Sequence, residues 1–169
     1  MNMFRRPPLE EAVSQGDIFD GCPIFGLDAD EPDVDIESRP SGWNVRVVVM
    51  TQACDLATDK TLRVVVAVVH VAKELVDEGV LKALHIRDQI RRHQVFGWYF
   101  LPRNDEAQLP ESLVDFRNLH TVPLAILNQL RERGQRRCRV DTPYREHLSH
   151  HFANTYARIG LPEPYETEP

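Results

Sequence analysis

Hydrophobic positions along the chain fall into continuous β-branched runs and into runs with helical spacing. The two longest β-branched runs span residues 45 to 51 and 61 to 71. Because strands that are covered on both faces carry continuous apolar runs, we expect two strands in the middle of a sheet. The polar residues 52 to 60 between them predict a hairpin with a long loop.

Shorter apolar segments predict further strands at residues 16 to 19, 95 to 101, 112 to 120 and 137 to 140. Alternating arginines in the last of these are typical of an edge strand, where they discourage pairing with other chains. Residues 26 to 42 are rich in Asp, Glu, Pro and Ser and predict a long acidic surface loop.

Helical spacing of apolar residues appears in three parts of the chain. Residues 72 to 93 predict two helices with a break at Gly79. Pro123 and Gly134 bracket a second helical region, and Thr142 followed by proline begins a third. The apolar stripe of the last helix is formed by Leu148, Phe152, Tyr156 and Ile159.

Length and composition indicate one α+β domain. The 169 residues suit a single domain over residues 1 to 162, with a loose arm at residues 1 to 12 and a flexible acidic tail at residues 163 to 169. Three widely spaced cysteines predict reduced thiols rather than a disulfide framework or a zinc site. The apolar runs are too short for a membrane span, and no apolar stretch follows the N-terminal arginines, so we expect a cytoplasmic protein.

The charge distribution bears on nucleic-acid binding. A net charge of −6 argues against broad, non-specific binding of phosphate backbones. The second half of the chain is nevertheless rich in arginine, which leaves room for one basic face. These arginines are Arg87, Arg91, Arg92, Arg131, Arg133, Arg136, Arg137 and Arg139.

The order of several motifs resembles the MazF/PemK-like toxin family. That family carries a G-D-I opening strand, an R-P-V-V-V-S strand, a V-V-V-x-P-I-T strand and an I-R-T-V-D-K-x-R-L segment before a closing helix. The matching segments here are residues 16–18, 46–51, 64–69 and 119–123, followed by a helix that ends near Gly160. This chain differs in having Val47 for Pro, His70 for Thr, and an insertion at residues 72 to 97.

The resemblance implies a small SH3-like antiparallel β-barrel with inserted and C-terminal helices. It also implies a metal-independent, homodimeric endoribonuclease without a cofactor, which acts on RNA and is restrained by an antitoxin protein. Arg46 matches the arginine of the family's active site and would stabilise charge on an RNA phosphate, although an isolated arginine beside a buried strand is also a simple surface charge.

Two further residues complete the catalytic prediction. Thr51 matches the family's Ser or Thr and would bond a phosphate oxygen, or it closes a turn. His70 stands at the family's threonine position and would act as general acid or base, or it bonds only to solvent at the strand end. Cys54 and Asp55 form a neighbouring polar cluster, which is either part of a site or a buried thiol beside a turn aspartate.

Other residues predict RNA or metal contacts. Trp43 would stack on an unpaired base, and arginines of the second half would contact phosphates, unless these side chains are simply buried or at helix ends. The arginines in question are Arg136, Arg137 and Arg139. His147 and His151 are spaced to share one helix face as two metal ligands, or they lie on a solvated face.

Three functions therefore remain open from the sequence. The first is an RNA-binding protein or endoribonuclease of a toxin–antitoxin or defence system. The second is a non-catalytic module that keeps the barrel and binds a protein partner. The third is a metal-dependent enzyme that uses His147 and His151.

Overall fold

A computed structural model describes residues 2–27, 38–57 and 61–157 of the chain. Its strands are β1 (Phe4–Arg5), β2 (Asp17–Gly26), β3 (Ser41–Val49), β4 (Arg63–Val71), β5 (Trp98–Leu101), β6 (Ser112–Pro123) and β7 (Arg136–Val140). Its helices are α1 (Ala53–Ala57), α2 (Ala72–Asp77), α3 (Ala83–His85) with a π-helical turn at Ile86–Ile90, α4 (Leu124–Glu132) and α5 (Tyr144–Tyr156).

All seven strands form one antiparallel sheet, in the order β1-β7-β2-β3-β4-β6-β5. The outermost strands β1 and β5 do not pair with each other, so the sheet is open rather than closed into a barrel. The predicted α+β class is confirmed. The two valine-rich segments are confirmed as the neighbouring strands β3 and β4, whose register sets Val47 opposite Val68.

Side chains of β3 and β4 alternate between the two faces of the sheet, and both faces are covered. On one face, which we call the α5 face, Val48 and Ala67 are buried with Leu148 of α5. On the other face, which we call the α4 face, Val47 and Val68 are buried with residues of α4. Coverage on both sides explains why these strands contain no polar residue at their centres.

The inserted segment between β4 and β5 covers another part of the α4 face. Leu75 of α2 and Ile90 of the π-helical turn are buried against Trp98 and Leu113. Gly79 has φ +76°, a left-handed conformation that favours glycine, and it separates α2 from α3. The predicted break at Gly79 is therefore confirmed, as is the helix between Pro123 and Gly134.

Strand β7 lies inside the sheet between β1 and β2, so the prediction of an edge strand is wrong. Two of its arginines are directed at a fully buried carboxylate instead of solvent. Arg139 donates from Nε to Asp17 Oδ1 at 2.5 Å and from Nη2 to Asp17 Oδ2 at 2.9 Å. Arg136 adds a longer contact of 3.4 Å to the same carboxylate.

The N-terminal residues are attached to the sheet, which corrects the prediction of a loose arm. Phe4 pairs with Val140 in β7 and is buried. Arg5 donates two hydrogen bonds to the Glu11 carboxylate, and these hold the pKa of Glu11 at about 2 despite the opposing effect of desolvation. The first residues of the described chain therefore form part of the folded unit.

Helix α5 begins one residue later than expected. Its start at Tyr144 has no side-chain cap, and Thr142 donates from its hydroxyl to the Glu146 carboxylate at 3.1 Å instead. The predicted cap is therefore wrong. Leu148 and Phe152 of the predicted apolar stripe do pack on the sheet.

Some predictions fall outside the residues that are described. These include most of the acidic loop, at residues 28–37, and the tail at residues 163–169. The remaining ends of that loop belong partly to β2 and β3. Among the described helices, none combines the length and the apolar character that crossing a bilayer requires.

Candidate functional site

Arg46 and His70 lie at the same end of the β3–β4 pair, and both line a cavity of about 270 Å³ there. Their side chains nevertheless leave the sheet on opposite faces. Arg46 is two residues before Val48, which is buried on the α5 face, and His70 is two residues after Val68, which is buried on the α4 face. Because residues two apart in a strand share a face, the two predicted catalytic groups do not point into one centre.

The guanidinium of Arg46 is occupied by an ion pair. It donates from Nε to Asp20 Oδ1 at 2.5 Å and from Nη2 to Asp20 Oδ2 at 3.2 Å. Arg137 donates to the same carboxylate at 2.6 Å. Burial alone would raise the pKa of Asp20, but the bonds from both arginines outweigh it and lower that pKa. Arg46 therefore stabilises the fold at this position.

Thr51 lies beyond the opposite end of β3 and lines a different cavity. Its Oγ1 accepts a hydrogen bond from the backbone N–H of Val65 at 2.8 Å. Thr51 and Asp55 border a cavity of about 490 Å³. Cys54 is exposed beside it, with Sγ 3.6 Å from Gln52 Oε1 and 3.8 Å from Asp55 Oδ1. The three predicted catalytic residues are thus distributed over two ends of the strand pair.

Two of the predicted RNA-binding arginines are buried. The Arg139 and Arg136 side chains are each 4% exposed and are directed at Asp17. Arg136 also donates to the backbone carbonyl of Glu11 at 2.9 Å, and desolvation lowers its pKa. Neither side chain is available for a phosphate, so these two predictions are wrong. Arg137 is partly exposed but pairs with Asp20.

Cys22 and Cys138 are free thiols, as predicted, and both are buried. Burial raises the pKa of Cys22 to about 11. Burial and the nearby Asp17 carboxylate raise the pKa of Cys138 to about 12. Thiols of such high pKa are protonated at neutral pH and are poor nucleophiles.

His70 and Trp43 meet in a cavity of about 410 Å³ on the α4 face, which we call the aromatic groove. Trp43 is 36% exposed at the groove, and His70 lies edge-on to the buried Trp98, with ring centres 6.1 Å apart. The groove is lined by Ile24, Gly26, Leu27, Trp43, Val45, Val68, His70, Arg117, Asn118 and His120. Two predicted functional residues therefore share one concave surface.

Arg117 supplies the positive charge of the aromatic groove. Its guanidinium carbon lies 4.4 Å from the centre of the Trp98 ring, in a cation–π contact. Its Nε donates to Asp115 Oδ1 at 2.9 Å, and its Nη2 donates to Oδ2 at 3.3 Å. Although Asp115 offsets part of this charge, the Arg117 side chain is 60% exposed, so the guanidinium remains accessible to a ligand.

The two histidines of the groove have different surroundings. Desolvation lowers the pKa of His120, whose Nε2 lies 2.8 Å from Asn118 Oδ1. Since an amide oxygen only accepts, Nε2 carries the proton, and Nδ1 of neutral His120 has its lone pair free. Desolvation also lowers the pKa of His70, against opposing charges of Asp115, Glu78 and Glu74.

A second histidine cluster lies between α5 and the loop before β5. The ring of His93 is 4.5 Å from that of His147 and 5.7 Å from that of His151, centre to centre. Desolvation, followed by the charges of these two neighbours, lowers the pKa of His93 to about 4. Its Nδ1 is buried without a hydrogen-bond partner, and its φ of +57° is rare for a residue other than glycine.

His147 and His151 do not share a solvated face of α5, so that alternative from the sequence is wrong. His151 is buried, and its Nε2 lies 3.1 Å from the carbonyl oxygens of both Val95 and Trp98. His147 is exposed, with Nδ1 3.1 Å from the hydroxyl of Tyr99. Across residues 2–27, 38–57 and 61–157, no three His, Cys, Asp or Glu side chains are arranged to hold a metal ion.

Three lining residues of the aromatic groove were missed from sequence: Arg117, Asn118 and His120. The pairing of β4 with β6 shifts register between Ala67 and Val68, which brings these β6 residues alongside the groove. A signal was present, because His120 is two residues before Val122 and must share its face in a regular strand. The register shift itself cannot be read from the residue pattern.

Searches against protein-family models and against curated proteins find no match to this chain.

Proposed function

We propose that this chain binds single-stranded RNA in the aromatic groove and cleaves it without a metal ion, using the RNA's own 2′-hydroxyl. The observation that carries the proposal is that Trp43, His70, Arg117 and His120 line one cavity. An exposed indole and a guanidinium suit the binding of an unpaired base and a phosphate, and two imidazoles suit the proton transfers of such a reaction.

Recognition begins with Trp43 and Arg117. An unpaired base stacks on the exposed indole, which is a sequence-tolerant contact because every base has a π-face. Arg117 then contacts the adjacent phosphate with its exposed guanidinium. Asn118 also lines the groove, and because its bond to His120 uses the amide oxygen, its amide N–H is left to donate to a second phosphate or sugar oxygen.

The two histidines divide the proton transfers. Nδ1 of neutral His120 takes the proton of the 2′-hydroxyl, whose oxygen attacks the adjacent phosphorus. His70 acts as the general acid and gives a proton to the departing 5′-oxygen, although desolvation lowers its pKa and the charges of Asp115, Glu78 and Glu74 oppose this only in part. The products are a 2′,3′-cyclic phosphate and a 5′-hydroxyl. Arg117 stabilises the negative charge that develops on the phosphate oxygens.

The resemblance to the MazF/PemK-like family is part of the same proposal. From this resemblance we infer a relation of the open sheet to the SH3-like barrel, a homodimer, and an antitoxin-type protein partner. In this chain, however, the reaction is assigned to His70 and His120, because Arg46 is bound to Asp20. Size-exclusion chromatography with light scattering measures the dimer directly.

The test uses end-labelled single-stranded RNA with purified protein in EDTA. We expect cutting with cyclic-phosphate ends, and no cutting of DNA of the same sequence, which lacks the 2′-hydroxyl. His120→Asn and His70→Asn should each slow cutting by about 100-fold or more, as expected for lost acid–base groups. Trp43→Ala should weaken RNA binding.

His150→Asn is the matched control, because His150 is exposed on α5 and lies outside the groove. It should cut RNA at the wild-type rate. The proposal is refuted if wild-type protein binds no RNA, or if RNA binding does not respond to Trp43→Ala. If both histidine variants bind RNA and cut it at the wild-type rate, the assignment of catalysis to His70 and His120 is refuted.

A further inference from the structure

A cavity of about 590 Å³ lies between the inserted segment and strand β5, apart from the sites described above. We call it the insertion pocket, because α2, α3 and the π-helical turn supply most of its lining. Its apolar lining residues include Val71, Ala72, Val76, Ala83, Ile86 and Phe100. The volume falls in the range of about 300–1,000 Å³ that is typical of small-molecule sites.

Hydrophobic side chains form the base of the insertion pocket. Ala72 and Ile86 are each 4% exposed, and Phe100 is 8% exposed. These side chains carry no hydrogen-bond donor or acceptor. A ligand must therefore bring apolar surface to them, since a polar group there would lose its bonds to water.

Arg91 is the cation of the insertion pocket that a ligand can neutralise. Lys73 and Arg87 also border the pocket, but they form ion pairs with Asp77 and Asp88, neither of which lines it. Within residues 2–27, 38–57 and 61–157, no side-chain hydrogen bond or ion pair uses the Arg91 guanidinium. Its donors are therefore available.

The Arg91 guanidinium is placed beside the apolar base. Its central carbon lies 5.7 Å from the centre of the Phe100 ring, in a cation–π contact that uses no hydrogen-bond donor. Arg87 is four residues earlier, so the two arginines are neighbours along the helical turn, and both border the pocket. This arrangement favours a ligand that joins an anionic group to an apolar body.

Glu111 is the one carboxylate among the described residues that line the insertion pocket. Its carbonyl oxygen accepts from the backbone N–H of Ala72 at 2.9 Å, so it lies beside the start of α2, whereas Arg91 directly follows the π-helical turn. Lys73, Arg87 and Arg91 outnumber it. The lining therefore favours an anion on the side of the arginines.

We propose that the insertion pocket binds an aliphatic carboxylic acid of the medium-chain fatty acid type. Its carboxylate accepts two parallel hydrogen bonds from the Arg91 guanidinium. Its alkyl chain lies against Ala72, Ala83 and Ile86. An aromatic acid fits less well, because Arg91 already covers the ring of Phe100, the one aromatic side chain among the described lining residues.

This site is independent of the proposed RNA cleavage, because the insertion pocket and the aromatic groove share no lining residue. Binding of the carboxylic acid can therefore succeed or fail whatever the outcome with RNA.

Isothermal titration calorimetry of the intact chain with hexanoate, octanoate and decanoate, all below their micellar concentrations, tests the proposal. Affinity should rise by roughly tenfold for each two methylene groups added, as expected when each one is buried. Octylamine has a similar chain and the opposite charge, and it should show no saturable binding.

Arg91→Met keeps much of the apolar stem and removes the charge, so octanoate binding should weaken by about tenfold or more, the loss expected for hydrogen bonds to a charged group. Arg92→Met is the matched control, because Arg92 is exposed and does not line the pocket. It should bind octanoate as the wild-type chain does.

A second pair of variants tests the apolar wall. Ala83→Phe should fill part of the pocket and weaken octanoate binding, with an unchanged unfolding midpoint because Ala83 is exposed. Leu84→Phe, at a neighbouring residue that is 61% exposed and outside the lining, should leave octanoate binding unchanged.

Absence of octanoate binding by the wild-type chain would overturn the proposal. So would equal affinity for octylamine, an affinity that does not depend on chain length, or unaffected binding by the folded Arg91→Met variant. Tighter binding of a short apolar peptide with a free C-terminal carboxylate than of octanoate would also overturn it, because the ligand would then be the end of a protein chain.

Discussion

Asp20 holds Arg46 by two hydrogen bonds, with Nε 2.5 Å from Oδ1 and Nη2 3.2 Å from Oδ2. This pair joins β2 to β3 and is about four-fifths buried on both sides. It indicates that Arg46 contributes to the stability of the sheet. The same pair also directs the Arg46 side chain away from the aromatic groove.

The first prediction concerns Arg46→Ala. Losing bonds to a charged group that is mostly buried should lower the free energy of unfolding by about 1.5–3 kcal/mol. RNA cleavage by the folded protein should remain at the wild-type rate, since Arg46 does not line the groove. Urea denaturation and the cleavage assay measure the two effects separately. Lost cleavage with unchanged stability would restore Arg46 as a catalytic group.

The second prediction concerns the buried pair of Arg139 and Asp17. Arg139→Met should destabilise the fold by about 3–5 kcal/mol, because it leaves a fully buried carboxylate without its main partner. Arg103→Met is the control: its pair with Asp105 is exposed, and its loss should cost no more than about 1 kcal/mol. Similar unfolding midpoints for the two variants would contradict this account.

The third prediction concerns pH. The pKa of His93 is about 4 in the folded chain, below its ordinary 6.5, because of desolvation and the neighbouring histidines. Between pH 4 and pH 6.5 the unfolded chain binds more protons at His93 than the folded chain does. The free energy of unfolding that this difference contributes is therefore complete above pH 6.5 and falls as the pH drops towards 4. His93→Asn, which tolerates positive φ, should flatten this dependence. Urea midpoints measured across that range provide the test, and an unchanged slope would rule out His93.

The fourth prediction concerns salt. Arg117 is the single arginine or lysine among the residues that line the aromatic groove. Each neutralised phosphate of a single strand contributes about −0.7 to the slope of log K against log salt, so we expect a slope near that value. Arg117→Gln should bring the slope close to zero. If the slope of log K against log salt is still steep in the Arg117→Gln variant, the RNA binds elsewhere on the chain.

Strands β3 and β4 were predictable because burial on both faces leaves a direct mark on the sequence. Because α4 and α5 cover opposite faces of the sheet, every side chain at the centre of these strands is apolar, and the valines are continuous. The helix between Pro123 and Gly134 was predictable for a similar reason, since its start and end depend on local backbone geometry.

The role of β7 could not be predicted, because the partner of its arginines is distant in sequence. Asp17 and Arg139 are 122 positions apart, and nothing near residues 136 to 140 indicates a buried carboxylate. The same limitation applies to His93, which meets His147 and His151 only after the chain has folded. An alternating pattern of arginines describes an exposed edge and a buried ion pair equally well.

The candidate site was predictable in part. His70 and Trp43 were chosen for their chemistry, and they do share the groove. Arg46 was chosen from its position at a strand start, but strand alternation sends it to the other face. Strand ends can therefore meet while their side chains remain separated by the thickness of the sheet.

The position of β7 between β1 and β2 affects the order in which the chain can be completed during synthesis. Until residues 136–140 have left the ribosome, β1 has no strand to pair with, and one edge of β2 stays open with the Asp17 carboxylate unpartnered by Arg139. Completion of this part of the sheet thus waits for a strand that is synthesised 122 positions after Asp17, the separation of Asp17 from Arg139.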